Sequence, residues 1–498
     1  MNWNTPSPLD QQRFDPAQVF AAGLALHHLA NTAYPIAHVS TMRPYKVPRS
    51  QVQETAPLAW EAIDRLGLYV HVPFCQARCG YCEYTVVDPQ TNQDSEASYF
   101  DLLEREFELY RQAADTPAKT LIGFDIGGGT PSVASTANIA RLLAAAQRSF
   151  QWEPGAFAVS IETTPRIAAQ EPQKIADYYR LGIRRISMGV QTVNLRLLQA
   201  VGREHTSLGY DQAAAEAVRQ AGFTSFNVDV MYGFAGQQLA SVEATLRHVI
   251  DLAPEHVTLY RMRYKGTRIA GQAEQVSLAE VIAQARLAKD LLLAAGYHGA
   301  PGKNTFSRLP GDPGTSDYLT KRVVHGTPYL GLGLGAQSLS HQTLAYNSGA
   351  ADKRLEHYRR QLEAGQLPLQ DLYHLSLPAA MGKMISVAFY FGAIHRPSFE
   401  RKFGCTLEQA FPGEVDFAVH QGLMEYAAGP AYGTPQELGA AGQPELLRLT
   451  AEGEQQVNGL IALFYAGAVK AHLLELAGDS LSIPAELALQ PAALAVPA

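Results

Sequence analysis

At 498 residues the chain exceeds what a single ordinary core serves, so roughly two to four structural units are expected. A hydrophobic content of 47% beside 17% charged residues is that of a water-soluble globular protein, and a net charge of −7 argues against a general nucleic-acid binder. No run reaches the ~18 apolar residues of a membrane span, and Met1-Asn2-Trp3-Asn4-Thr5 lacks a secretion signal's basic-then-apolar pattern, so a reduced, cytoplasmic setting without membrane or nucleic-acid partners is expected.

Residues 1–66 read as a helical leader, with apolar residues at helical spacing from Asp15 to Ala30 before Pro35, Pro44 and Pro48 intervene. Arg43, Lys46 and Arg49 lie in an extended basic segment that is either a solvated linker or cover for an anionic substrate. Over 67–300, apolar or β-branched runs recur at 68–72, 121–126, 157–161, 184–190, 225–230 and 256–261. They alternate with amphipathic stretches at 96–113, 136–149, 170–180, 209–221, 238–252 and 277–295. That alternation predicts an α/β fold, a parallel sheet with right-handed crossovers, as an open doubly wound sheet or a partial barrel. Function then belongs at the carboxyl ends of the strands. A glycine-rich bridge over 301–370 completes the core, and 371–483 reads as a helical, winged-helix-like domain ending in Leu449-Thr450-Ala451-Glu452-Gly453. The alanine- and proline-rich tail at 484–498 is expected to be loosely ordered.

Just after the first predicted strand, Cys75, Cys79 and Cys82 form a C-x3-C-x2-C run. Thiolates are the soft ligands of iron–sulfur clusters, normally four to a cube. Three local thiolates leave one iron open, and an open iron can chelate the amino and carboxylate groups of S-adenosylmethionine (SAM). An electron from such a cluster splits the sulfonium and releases a hydrogen-abstracting 5′-deoxyadenosyl radical. A closed zinc site would want four ligands, and no C-x2-C or H-x3-H partner appears elsewhere. Four cysteines in this length do not make a disulfide framework. The fourth, Cys405, reads as a small buried filler.

Further motifs follow in order: Tyr69 to Cys75, Gly-Gly-Gly-Thr-Pro at 127–131, Ile161-Glu162, Arg185 to Gln191, Asp229 to Gly233 and Tyr329 to Ser338. With them the chain resembles the oxygen-independent coproporphyrinogen III oxidase-like (HemN/HemW-like) family of radical SAM enzymes. The resemblance implies a partial (β/α)6 barrel with a helical C-terminal lid, a [4Fe–4S] cluster on Cys75, Cys79 and Cys82, and one or two SAM molecules. It matches Tyr69 to a contact with the first SAM and Glu162 to its protonated amino group. It matches Gln191, Arg203 and Asp229 to a second SAM, the arginine offering a planar fork for a carboxylate. Tyr81 would place a ring beside the adenine or the cluster. Gly127, Gly128 and Gly129, with Thr130, would let the backbone approach the methionine end of the cofactor.

Two departures bear on the reaction. The oxidases of this family tend to carry a further cysteine where Tyr84 stands. The haem chaperones carry a His-Asn-x-x-Tyr-Trp motif, absent here because the only tryptophans are Trp3, Trp60 and Trp152. His325, in the corresponding stretch, is a haem-ligand candidate or an ordinary hydrogen-bonded histidine. The retained two-SAM residues then favour methyl or methylene transfer to an unsaturated, planar small molecule. The alternatives are oxidative decarboxylation of coproporphyrinogen III and a non-catalytic haem chaperone. A reductant such as flavodoxin or ferredoxin is implied, and Arg261 and Arg263 are candidates for substrate carboxylates.

Overall fold

Six strands carry the same alternation: apolar side chains on one face, polar or small ones on the other. They are β1 (Arg65–Val72), β2 (Thr120–Gly128), β3 (Val159–Thr163), β4 (Ile183–Gln191), β5 (Ser225–Tyr232) and β6 (His256–Arg261). In the computed structural model they pair in that order, all parallel. Leu68 and Val70, Phe124 and Ile126, Ile186 and Met188, and Val228 and Val230 share one continuous core. The intervening positions, Tyr69, Asp125, Glu162, Ser187 and Asp229 among them, face the other way. The sheet continues past β6 to β7 (Thr305–Ser307) and past β1 through β8 (Tyr329–Leu332), β9 (Gln337–Leu339), β10 (Thr343–Asn347) and β11 (Leu369–His374), and it does not close. This is the partial barrel. The structure describes residues 3–32, 34–35, 38, 40–87, 96–152, 155–203, 209–428 and 445–478; the expected loose tail at 484–498 lies outside them.

Helices cover the apolar face where the amphipathic stretches predict them, including Glu96–Ala113, Thr136–Ser149, Leu239–Asp251 and Leu278–Ala294. Ser277 and Glu280 cap the last of these reciprocally. The stretch 170–180 is instead the end of one helix, Pro165–Gln170, and the whole of another, Pro172–Arg180. Proline fits the first turn of a helix but not its interior, so Pro172 starts a new one. β3 begins and ends two residues later than the 157–161 run, which puts Glu162 inside the strand, opposite Ser187 of β4.

The contacts divide the chain elsewhere than at residue 66. One unit holds Lys46–Gly299 and Asn304–His374; the other holds Trp3–Tyr45, Ala300–Lys303 and the residues from Leu375 on. Residues 46–66 join the sheet unit because the Val47 amide donates to Leu372 O (2.8 Å) and the Gln53 side chain exchanges hydrogen bonds with the Leu367 backbone (2.9 and 3.0 Å). In the second unit the helix Pro16–Ala25 packs against Val457–Leu463. The helix ends at Ala25, short of the expected Ala30. The same unit contains β12 (Ala393–His395), helices Arg396–Phe403 and Pro412–His420, and β13 (Met424–Ala427) and β14 (Leu446–Leu449), which form an antiparallel sheet in the order β12-β14-β13. Thr450 caps the helix after β14 by accepting from the Gly453 amide (3.1 Å). Cys405 is half-buried, not the buried filler expected, because it follows the left-handed Gly404 that ends its helix.

One buried carboxylate ties a covering helix to the sheet. Glu106, wholly buried in Glu96–Ala113, accepts from the Gly333 amide (2.8 Å), Asn347 Nδ2 (2.7 Å) and the Tyr358 hydroxyl (2.5 Å). Burial outweighs these donors and pushes its carboxyl up to about 7. Because that value lies above the usual carboxylate range, the folded state holds the proton more tightly than the unfolded chain does. The stabilisation is complete below pH ~4.5 and is lost as pH rises through 7, a span of about 3 kcal/mol. Thermal unfolding measured from pH 5 to 8 should therefore show a steeper fall in melting temperature for the parent than for Glu106→Gln. Equal slopes would contradict this assignment.

Candidate active site

β1 ends at Val72, and the next ten residues carry all three clustered cysteines. Backbone hydrogen bonds hold this loop at both ends. The Gly129 amide donates to Val72 O (2.9 Å), Thr130 to Phe74 O (2.7 Å), Gly80 to Val201 O (2.8 Å) and Arg268 to Gly80 O (3.0 Å). A Cβ on Gly129 would lie 2.6 Å from Phe74 O and 3.0 Å from Cys75 Sγ, so only glycine allows this approach. The Thr130 hydroxyl lies 3.5 Å from Cys75 Sγ, and Arg203 Nη1 donates to Cys79 Sγ at 3.4 Å.

Cys75, Cys79 and Cys82 all line one cleft of about 1250 Å³, measured to its open mouth. Among the described residues no three His, Cys, Asp or Glu side chains converge on a point suited to one metal ion. Three thiols lining one cleft suit a polynuclear cluster, in which they would hold three irons and leave one for a ligand. Burial pushes the Cys75 thiol up to about 12 and raises that of Cys82, so iron binding must displace protons there. The residues present fit the cluster.

The same cleft is lined by Tyr81, Gly128, Gly129, Thr130, Glu162, Gln191, Arg203 and Asp229. Tyr69 is not on its wall. Its hydroxyl instead meets His71 Nδ1 (3.3 Å), while His71 Nε2 bonds Thr85 O (2.6 Å). Burial lowers His71 to about 4, so the neutral ring donates through Nε2 and accepts from Tyr69. Tyr81 sets its ring edge-on to Phe234 at 6.0 Å. A Cβ on Gly127 would lie 2.7 Å from Glu162 Oε1, so that glycine makes room for the carboxylate.

Glu162 stands in the open cleft, reached by water yet enclosed by barrel walls. Burial, then the nearby charges of Asp229 and Asp125, raise its carboxyl to about 8. Asp229 is fixed from both sides: Oδ1 accepts from Asn227 Nδ2 (2.7 Å) and Oδ2 from the Ser187 hydroxyl (3.2 Å). Thr258 in turn donates to Asn227 Oδ1 (2.8 Å). Burial raises Asp229 to about 6 against these donors. Gln191 holds a left-handed φ of 69°, a strained conformation for a residue other than glycine. Its Oε1 is buried without a hydrogen-bond partner. Such an acceptor on a cleft wall is placed to take a hydrogen bond from water or from a ligand donor.

Asn227 and Thr258 have no role in the sequence reading, and Ser187 stands in it only inside the Arg185 to Gln191 motif. Their signal is positional: each lies two residues from Gly189, Asp229 or Tyr260 on an inward face, legible only once the register is known. Arg261 and Arg263 do stand on the cleft wall, and Arg263 is ion-paired with Glu83. Lys46 does not wait for a substrate anion, because it is ion-paired with Asp371 of β11. His325 closes the helix Asp317–His325 and is not among the residues lining the cleft.

Replacing any one of Cys75, Cys79 and Cys82 by alanine should abolish retention of iron and sulfide after anaerobic reconstitution, read by iron analysis and visible absorbance. Gly129→Ala should lower retention too, because its Cβ intrudes on Phe74 O and Cys75 Sγ. Full loading of these variants would remove the cluster assignment.

The description Radical SAM superfamily matches residues 69–249. The haem chaperone HemW of Haemophilus influenzae is 31% identical over 198 residues, 40% of this chain and 51% of that protein. HemW of Lactococcus lactis is 26% identical over 370 residues, covering 72% of this chain and 90% of its own length. The oxygen-independent coproporphyrinogen III oxidase of Escherichia coli is 33% identical over 209 residues, 42% of this chain and 44% of the oxidase. The chain thus spans about half of the first and third relatives and most of the second. A solved structure, coproporphyrinogen III oxidase HemN from Escherichia coli, shares the fold with a TM-score of 0.66 at 22% identity, over 87% of this chain and 96% of that one. Members of the superfamily use a [4Fe–4S] cluster and SAM, the two groups that three thiols and a carboxylate-lined cleft are suited to hold. Residues 69–249 carry a radical SAM domain, and over most of its length the chain is HemN/HemW-like in sequence and fold.

Proposed function

We propose that this protein is a radical SAM enzyme acting on a carboxylate-bearing tetrapyrrole, by oxidative decarboxylation of a coproporphyrinogen-type substrate. The observation that carries the reading is one cleft holding three thiols together with Glu162, Gln191, Arg203 and Asp229. The methyl or methylene transfer expected from sequence is set aside: the relatives that match over hundreds of residues are named for haem or coproporphyrinogen. When bound, the cluster and SAM supply hydrogen-atom abstraction. Glu162 then holds the cofactor's ammonium, Gln191, Arg203 and Asp229 hold a second polar ligand, and Arg78 and Arg261, both on the cleft wall, face the substrate's carboxylates. A propionate that has lost a hydrogen atom becomes a vinyl group by losing CO2 and one electron, which an acceptor must take. A flavodoxin or ferredoxin is the fitting reductant for the cluster.

The second reading is haem chaperoning. It is favoured by the extent of the Lactococcus lactis match and by Tyr84 in place of the oxidases' further cysteine.

The reconstituted protein, given dithionite, SAM and coproporphyrinogen III without oxygen, should form 5′-deoxyadenosine in step with CO2. Stoichiometric haem binding with no coupled SAM cleavage would overturn the enzymatic reading in favour of the chaperone. A second measurement isolates Glu162. Its raised carboxyl must lose a proton to receive an ammonium, so SAM affinity should rise several-fold, roughly, from pH 6 to 8. In Glu162→Gln it should be weaker and nearly flat. An unchanged, equally pH-dependent affinity in that variant would exclude the role.

A further inference from the structure

Large apolar side chains usually leave water on folding, and two tyrosines on the cleft wall do not. Tyr84 is 56% exposed and Tyr260 39% exposed, and both line the cleft that holds the three cysteines. Exposed aromatic surface gathered at a cleft marks a place where something binds.

The ladder fixes where Tyr260 stands. Asp229 of β5 pairs with Thr258 of β6, Val230 with Leu259, and Met231 with Tyr260. Val230 and Leu259 are buried in the outer core. Alternation therefore puts Met231 and Tyr260 on the inner face with Asp229, one inward rung further toward the open end. A rung of two residues is about 6.6 Å along the strand.

Tyr84 comes from the loop after β1, two residues past Cys82. Its neighbour Glu83 is held twice: its carboxylate is ion-paired with Arg263, and its carbonyl accepts from Lys353 Nζ (2.9 Å). Arg263 lies three residues beyond Tyr260 on the segment leaving β6. The Glu83–Arg263 pair thus joins the two segments that present the exposed rings, and Arg261 stands on the same wall.

We propose that Tyr84 and Tyr260 form an aromatic clamp that takes the flat face of a pyrrole ring of the tetrapyrrole, while Arg261 meets one of its carboxylates. The clamp rests on the tetrapyrrole reading above and adds to it the residues that set substrate choice. Tyrosine suits the task, since its ring stacks on a π-face at low conformational cost and its hydroxyl tolerates water. Arginine supplies the planar fork that a carboxylate accepts bidentately. The Glu83–Arg263 pair is a positioning device, because it sets the spacing of the two rings without needing to touch the ligand.

The test is titration of the anaerobically reconstituted protein with coproporphyrin III, the oxidised and strongly absorbing form of the macrocycle, followed by its Soret band. Tyr84→Ala and Tyr260→Ala should each weaken binding about tenfold, and Tyr84→Phe and Tyr260→Phe should restore it to within about twofold. Arg261→Gln should weaken coproporphyrin III more than a porphyrin whose carboxylates are esterified. Thermal unfolding and iron content of each variant separate lost contacts from lost structure. Parent-like affinity in folded, cluster-loaded alanine variants would overturn the clamp and leave the tetrapyrrole reading standing. A parent that neither binds coproporphyrin III nor turns over coproporphyrinogen III would overturn both.

Discussion

Side chains on parallel strands alternate between two faces, and that constraint organises the whole sheet unit. Each strand turns one set of side chains toward helices and the other toward the concave face. The outward set can be wholly apolar, as Val70, Ile126, Ile161, Met188 and Val228 are. The inward set is then free to be polar, provided each group finds a partner. Ladder register decides which inward residues meet. It brings Glu162 level with Ser187, Ser187 level with Asn227, and Asp229 level with Thr258. A one-residue slip would bury Asp229 under helices and expose Val228 to the cleft.

The inward set carries more acid than base. Asp125, Glu162 and Asp229 all have carboxyls raised first by burial, with Arg185 the cation that lowers each of them. Arg185 is itself engaged, reaching Ser160 Oγ (3.4 Å) and Gly314 O (3.1 Å). The carboxylates Glu162 and Asp229 suit a sulfonium or ammonium group, while Arg78, Arg203, Arg261 and Arg263 on the same cleft wall suit anionic groups, so one cleft can serve a cofactor and a carboxylate-bearing ligand together.

Much of this was legible in the chain. The C-x3-C-x2-C spacing is local chemistry and needs no fold to be recognised. The six strands were visible because each pairs an apolar run with a following helical stretch, and their carboxyl ends gathered Cys75, Gly128 and Gly129 without further information. Other features depend on contacts that sequence does not display. Glu106 sits in an amphipathic helix where a glutamate normally faces water, and only the approach of Gly333, Asn347 and Tyr358 reveals it as buried. Residues 3–45 looked like a leader to the barrel because they precede it, yet their partners lie after residue 374. Lys46 looked available to an anion because Asp371 is 325 residues away in the chain. Exposure of Tyr84 and Tyr260 is equally invisible in sequence, where a tyrosine near an apolar strand reads as core.

The central claim is that three thiols hold a cluster whose remaining iron accepts SAM inside this cleft. Electron paramagnetic resonance of the reconstituted, dithionite-reduced protein, recorded before and after adding SAM, tests it most directly. The account predicts a reduced-cluster signal whose g values shift when SAM is added, because the ligand set of one iron changes. A fully loaded cluster with the same spectrum in both states would contradict it.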